Sequence, residues 1–267
     1  MTAIAVTIAG SDSGGGAGIQ ADLKTFSALG VYGASVIAAL TAQNTRGVTG
    51  IHDVPPDFVT AQIDAVFSDL AVGAVKIGML SNPQTIAAVA SGLRKYRQDR
   101  IVLDPVMVAA SGDRLLVPEA IETLRKELIA QALIITPNLP EAAALLDGPL
   151  AKTETEMREQ GEKLLELGAR AVLIKGGHGE GAESVDVLIE PQAVVRLASE
   201  RIATQNTHGT GCTLSSAIAA GLAKGLNLAE AVRQAKAYVT AAITASDTLK
   251  IGHGHGPVHH FHAWWRN

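Results

Sequence analysis

The segment Asn206-Thr207-His208-Gly209-Thr210-Gly211-Cys212-Thr213 joins two glycines, three threonine hydroxyls and the chain's single cysteine just ahead of an alanine-rich helical pattern. Glycines let the backbone turn tightly, so several N–H groups and the positive end of the helix can converge on an anion. That is the chemistry of a phosphate site without a lysine. Cys212 lies at this terminus, where the helix field favours thiolate over thiol, so it could activate a hydroxyl or attack an electrophile. An inert, buried cysteine is the plain alternative, but inert packing requires none of these neighbours. His208 does not make a protease pair, because a histidine four residues earlier on the same turn would not sit beside the sulfur with a third group orienting it.

A second glycine-rich segment is Gly10-Ser11-Asp12-Ser13-Gly14-Gly15-Gly16-Ala17-Gly18. It fits neither the G-x-G-x-x-G dinucleotide spacing nor a P-loop, which needs Gly-Lys-Ser/Thr. It reads as a flexible turn that could approach or fold over a small ligand, with a merely permissive turn as the alternative. Further polar groups fall at expected strand ends, where open α/β sheets place their ligands. Gln43 offers both a donor and acceptors, suited to reading the edge of a heterocycle. Asp104, directly after Ile101-Val102-Leu103, suits a hydrated Mg²⁺ or a turn cap. Lys175, after Val172-Leu173-Ile174, could present a point charge to a triphosphate or simply reach solvent. Asn138 and Glu141 stand three apart at a helix start, and spacing alone leaves a capping pair and a metal–water site both open.

Five of the eight histidines fall within residues 252–262. Glycine and proline spacing gives no fixed ligand geometry there, so a structured tail near the cleft is favoured over a metal tract.

Elements must position these groups. The 267 residues are 47% apolar and only 3% aromatic, with 27 glycines, a composition that favours a buried, mostly parallel sheet built from Ala, Val, Ile and Leu. Strands are expected at 3–9, 35–40, 74–77, 101–103, 132–136 and 171–174, with a β excursion at 185–190 and 194–197. Helices fit 17–29, 57–70, 83–96, 118–128, 139–146, 154–167, 210–224 and 228–244. Repeated βαβ order without a linker or composition break makes residues 1–267 one α/β domain. The charged stretch 152–170 reads as an amphipathic surface helix.

A net charge of −4 without a dense Lys/Arg block argues against a nucleic-acid partner. The uncharged stretches 25–45 and 202–223 are broken by glycines and hydroxyls, so no membrane span is expected. One cysteine closes no intramolecular disulfide, which fits a reducing, cytoplasmic setting, and the N-terminus has no secretory signal.

The segments around Gly10 and Gly18-Ile19-Gln20-Ala21-Asp22, Lys76-Ile77-Gly78-Met79, Asp104-Pro105-Val106-Met107, Thr136-Pro137-Asn138 with Glu141, Lys175-Gly176-Gly177-His178, residues 206–213 and the tail 254–262 together resemble the hydroxymethylpyrimidine/phosphomethylpyrimidine kinases of thiamine biosynthesis. The resemblance runs nearly end to end. It implies a single-domain ribokinase-like fold, a three-layer α/β/α sandwich with a central, mainly parallel sheet. It also implies a homodimer and a kinase that uses ATP and Mg²⁺ to convert 4-amino-5-hydroxymethyl-2-methylpyrimidine to its monophosphate and then its diphosphate.

By this resemblance Gln43 reads the aminopyrimidine edge, Met79 and Val106 pack on the ring, and Gly10 and Ala17 belong to the turn that closes nearby. Gly209, Gly211 and the Cys212 backbone form the anion hole with Thr210 beside it, and Lys175 contacts the ATP phosphates. Asp104 and Glu141 hold Mg²⁺ through water with Asn138 alongside. Much of the wider superfamily carries Asp where this chain has Cys212, so a thiolate base is expected for the first transfer. Ser13-Gly14 departs from the family's frequent Pro-Ser and is expected to loosen the turn. Two rival readings remain: a pyridoxal or pyridoxine kinase, with a similar substrate alcohol, and a non-catalytic small-molecule sensor.

Overall fold

Side chains alternate along each short strand between two apolar layers, and this alternation sets the architecture. The computed structural model describes residues 1–107, 118–177 and 181–265. Its elements run β1 (Ile4–Asp12), α1 (Gly18–Ala28), β2 (Tyr32–Asn44), β3 (Gly47–Asp53), α2 (Pro56–Phe67), β4 (Ala74–Ile77), α3 (Pro83–Lys95), β5 (Ile101–Leu103), α4 (Pro118–Glu127), β6 (Ile134–Ile135), α5 (Leu139–Leu146) and α6 (Glu154–Leu165). They continue with β7 (Val172–Lys175), β8 (Glu183–Glu190), β9 (Ala193–Glu200), α7 (Thr210–Ala223) and α8 (Leu228–Thr244).

The nine strands form one sheet in the order β3-β2-β1-β4-β5-β6-β7-β8-β9. The six strands from β2 to β7 pair in parallel, while β3, β8 and β9 extend the two sides as antiparallel strands. On one face Ile8, Val75, Ile101 and Ile174 join Val59, Ile86, Leu124, Leu139 and Met157 from α2 to α6. On the other, Ala5, Val102 and Leu173 join Phe26, Leu214, Ile218 and Val239 from α1, α7 and α8. Burial on both faces explains why the central strands read as continuous apolar runs. Among the described residues no helix is long and apolar enough to cross a membrane.

Two expectations change. The strand expected at 35–40 extends over Tyr32–Asn44 and pairs antiparallel with β3, which the sequence did not suggest. β3 is almost wholly exposed and therefore carries no apolar alternation to read. The strand expected at 132–136 shrinks to Ile134–Ile135, because Ile129–Gln131 winds into a 3-10 turn. The charged stretch does fold as α6, opened by a capping box between Thr153 and Glu156 and buried through Met157 and Leu164.

The histidine-rich tail is ordered and lies against the cleft. His255 N–H donates to Thr45 O at 2.8 Å, His208 N–H to Gly256 O at 3.0 Å and Val258 N–H to His208 O at 3.3 Å. The tail thereby ties the β2–β3 hairpin to the loop before α7. His260 is buried with Nε2 3.0 Å from Thr213 Oγ1. Burial, reinforced by the charges of Lys24 and neighbouring histidines, holds its pKa down at about 3.

The fold therefore takes up neutral His260, whereas the unfolded chain protonates it near 6.5. The associated stability is present above that value and is lost at about 1.4 kcal/mol per unit as pH falls toward 3. His260→Gln should flatten the fall of the thermal midpoint between pH 7 and pH 5. An unchanged slope would assign acid sensitivity to other groups.

Candidate active site

The parallel strands end at one edge, and their last residues bring opposite charges together. Asp104 N–H donates to Ile77 O and Lys175 N–H to Pro137 O, both at 2.9 Å, which fixes where β5 and β7 release their side chains. Lys175 Nζ lies 2.7 Å from Asp104 Oδ1 and 3.8 Å from Glu141 Oε2. Thr136 and Ser215 hydroxyls also donate to Asp104, at 3.1 and 3.2 Å. Burial would raise the Asp104 carboxyl, but the charges of Lys175 and Lys76 outweigh it and hold it below the usual range. Glu141 has less compensation: burial, with Asp104 adding and Lys175 opposing, pushes it up to about 7.

Asn138 and Glu141 form a capping box. Asn138 Oδ1 accepts from Glu141 N–H at 2.9 Å, and Glu141 Oε2 from Asn138 N–H at 2.8 Å. The cap holds the Glu141 carboxylate in the cleft beside Lys175, so the capping reading is realised at the edge of the charged cluster.

Opposite this cluster α7 starts on Gly209, whose φ is +81° and where any Cβ would fall 1.9 Å from Gly16 O. Only glycine brings the two loops so close. No side chain caps the helix. The Thr207 carbonyl is taken by Thr210 N–H and Oγ1, and the His208 carbonyl by Val258 N–H. These are the i−4 acceptors of Gly211 and Cys212, two residues that line the cleft. A Cβ on Gly211 would lie 3.2 Å from Lys175 Nζ, which shows how closely the ammonium approaches this turn.

Cys212 corrects the expectation of a favoured thiolate. Burial pushes the thiol up to about 11, Lys76 opposes it, and Asp22 and Asp104 add to it. At this terminus desolvation outweighs the helix field.

The flexible turn of the sequence reading is a fixed nest around Asp12. Its carboxylate accepts from Gly14 N–H at 2.8 Å, Gly16 N–H at 3.1 Å and Ala17 N–H at 2.8 Å, and Oδ2 lies 2.8 Å from His208 Nε2. Ser13 does not loosen it. Its hydroxyl donates to Gln43 O at 2.8 Å and accepts from Gln43 N–H at 2.9 Å, pinning the backbone of β2. Gln43 Oε1 accepts from Thr41 Oγ1 at 3.1 Å, and Nε2 lies 3.5 Å from His208 Nε2. Gly10 leaves room for Met79, whose Cε would be 2.7 Å from a Cβ there.

Asp12, Gln43, Asp104, Asn138, Glu141, Lys175, His208 and the turn Gly209-Thr210-Gly211-Cys212 line one cleft of about 700 Å³, together with Gly10, Ala17, Met79 and Val106. Gln43, Met79 and Val106 belong to its wall, as do the apolar side chains of Ile202, Val239 and Ile243. There Lys236 Nζ pairs with Asp186 Oδ2 at 2.8 Å, and Asp186 Oδ1 accepts from Gly176 N–H at 3.0 Å, steadying the turn after Lys175. His178 of the Lys175 motif lies outside the described residues. Sequence reasoning missed the supporting roles of Asp12, His208, Asp186 and Lys236. Their partners lie up to 196 residues away, and no local spacing announces such a pair.

The family described as phosphomethylpyrimidine kinase matches residues 12–259. A hydroxymethylpyrimidine/phosphomethylpyrimidine kinase of Rhizobium meliloti (strain 1021) is 63% identical over the whole of both chains. Among solved structures, the phosphomethylpyrimidine kinase of Clostridium difficile 630 is similar with a TM-score of 0.80 and 48% identity, covering 90% of this chain and 99% of that one. An ADP complex of Bacillus subtilis pyridoxal kinase is similar with a TM-score of 0.90 and 39% identity, covering 97% and 98%.

Proposed function

This chain belongs to the phosphomethylpyrimidine kinase family, and from that premise we propose how its cleft carries out the two phosphoryl transfers of a hydroxymethylpyrimidine/phosphomethylpyrimidine kinase. The enzyme is a phosphotransferase of thiamine biosynthesis. In our reading it phosphorylates 4-amino-5-hydroxymethyl-2-methylpyrimidine, then the monophosphate, with ATP as donor. The observation that carries this is the charged cluster of Lys175, Asp104 and Glu141 facing the uncapped start of α7, with the Gln43 pocket in the same cleft.

Phosphoryl transfer needs alignment and charge neutralisation more than covalent help. Gln43, oriented through Thr41, reads the amino-nitrogen edge of the ring, while Met79 and Val106 pack on its faces and Gly10 and Ala17 close the wall. Lys175 turns from Asp104 to the phosphates. The N–H groups of Gly211 and Cys212, with Gly209 making the turn and Thr210 alongside, receive the migrating phosphoryl group. Asp104 and Glu141 fit a hydrated Mg²⁺: they offer oxygen ligands only, and two carboxylates with shared phosphates are the usual holding set. Bound there, the ion would neutralise charge on the phosphates; Asn138 keeps Glu141 in place through the cap. Cys212, as thiolate, takes the alcohol proton in the first transfer. A cytoplasmic setting, supported by the free cysteine, and the homodimer that the resemblance implies complete the reading.

Mass spectrometry of products from the pyrimidine alcohol and ATP should show the monophosphate accumulate and then give way to the diphosphate. The similarity to a pyridoxal kinase makes pyridoxal the necessary competitor. A higher kcat/KM for pyridoxal than for the pyrimidine would reassign the substrate, and no ADP release with either would point to a sensor.

A further inference from the structure

A buried ion pair bonded to α7 has no assigned part in the two phosphoryl transfers. Lys76 on β4 and Asp22 on α1 are wholly buried, and Lys76 Nζ donates to both Asp22 oxygens, at 2.9 and 2.8 Å. Thr7 Oγ1 and Ser216 Oγ each donate to Asp22 at 2.6 Å, so β1, β4 and α7 all meet on one α1 carboxylate. Ser216 stands one turn after Cys212 on the same face of α7. Lys76 also lines the cleft with Cys212. A side chain on Gly78 would come within 2.8 Å of the Lys76 ammonium and 2.9 Å of Ala9 Cβ, so the chain keeps this volume open for Nζ. A buried ion pair contributes little net stability against apolar residues of the same volume, so stability does not account for it.

We propose that Lys76, clamped by Asp22, is a positioning residue for transfer to the pyrimidine alcohol: its fixed ammonium charge lets Cys212 take the alcohol proton, and the clamp seats the first turns of α7 against α1 and β4. This rests on the reading of Cys212 as base. In that step the alcohol O–H bond breaks and its proton passes to the Cys212 sulfur. The alcohol oxygen bonds to the γ-phosphorus, and the bond from that phosphorus to the bridging oxygen breaks, its electron pair leaving with ADP. The thiol then returns its proton to solvent.

The charges that act on the sulfur come from α1, β4, β5 and β7. Lys76 on β4 favours thiolate, as does the Gly18 N–H at the start of α1, whereas Asp22 on α1 and Asp104 on β5 oppose it. Lys175 on β7 also feels the sulfur, but it has Asp104 and Glu141 to answer and, in our reading, the phosphates. Lys76 is the cation that stays when nucleotide enters. Although burial works against its charge, Asp22 and its neighbours hold its pKa above the ordinary lysine value.

Cys212 is the chain's one cysteine, so alkylation reports it without ambiguity. In the enzyme without nucleotide, Lys76→Gln keeps a donor for Asp22 and removes the charge. Iodoacetamide alkylation near pH 9 should slow about tenfold, the effect of a one-unit rise in the thiol pKa. The single-turnover rate of the first transfer should fall by a similar factor while the second changes little. If Lys76→Gln does not fold, Asp22→Asn/Lys76→Gln carries no unpaired carboxylate and should show the same direction at smaller size, because Lys76 acts on the sulfur more strongly than Asp22.

Unchanged alkylation in a folded variant, or equal losses in both transfers, overturns the role of Lys76. A first transfer left intact by Cys212→Ala instead overturns the base reading and this use of the charge with it, whatever the alkylation rate.

Discussion

Cys212→Ala should slow the first phosphoryl transfer by about 10²- to 10⁴-fold, the usual range for loss of a general base, and leave the second within about threefold. The asymmetry follows from the two acceptors. The alcohol of the first step holds its proton tightly, and the new P–O bond requires its removal. The acceptor of the second is a phosphate monoester, whose second pKa is about 6, so it is already anionic at neutral pH. The anion hole survives the substitution because it is built from backbone N–H groups of α7.

The same argument fixes a pH dependence. With the thiol pushed up to about 11 by burial, the thiolate fraction rises about tenfold per pH unit throughout the range below that value. The single-turnover rate of the first transfer should therefore climb with a slope near one from pH 7 to pH 9, and Cys212→Ala should remove the slope. The second transfer should be nearly flat over that range. Equal losses in the two steps, or a flat first step in the unmodified enzyme, would leave the sulfur a lining atom of the anion hole.

Legibility in the sequence followed the range of the interactions. The parallel core could be read because each strand carries its own burial pattern, as in Ile101–Leu103. β3 could not, because an exposed strand answers only to its partner β2 through backbone bonds. Asp104, Lys175 and Glu141 were singled out by their places at strand and helix ends, and the structure brings them together. The expectation of a lowered Cys212 pKa failed for a different reason. A helix terminus is visible in sequence, whereas the desolvation that outweighs it depends on neighbours from α1, β4 and β5. Asp12 and Ser13 show the same limit: both stand within a recognised motif, yet Asp12 also binds His208 and Ser13 pins Gln43, partners that the motif does not announce.

Glu141→Gln should make the free enzyme more stable at pH 8 and a poorer kinase. The carboxyl is pushed up to about 7, first by burial and further by Asp104, with Lys175 only partly offsetting them. In the unfolded chain it titrates near the ordinary 4.5. A folded pKa above the unfolded one means that the fold prefers the neutral form. The penalty is absent below about 4.5, grows as pH rises through the interval, and is complete above 7, where such a shift corresponds to about 3 kcal/mol.

Glutamine removes the charge and retains the capping box, since the amide oxygen accepts from Asn138 N–H as the carboxylate does. The thermal midpoint at pH 8 should rise by about 2–4 °C for each kcal/mol recovered, and the gain should vanish near pH 4.5. Loss of one of the two carboxylates that would hold Mg²⁺ should lower kcat/KM by about 10- to 100-fold. A lower midpoint at pH 8 would mean that attraction to Lys175, 3.8 Å away, outweighs burial. Higher stability with lower activity in one variant would instead identify Glu141 as a charge the fold tolerates for the sake of the phosphates.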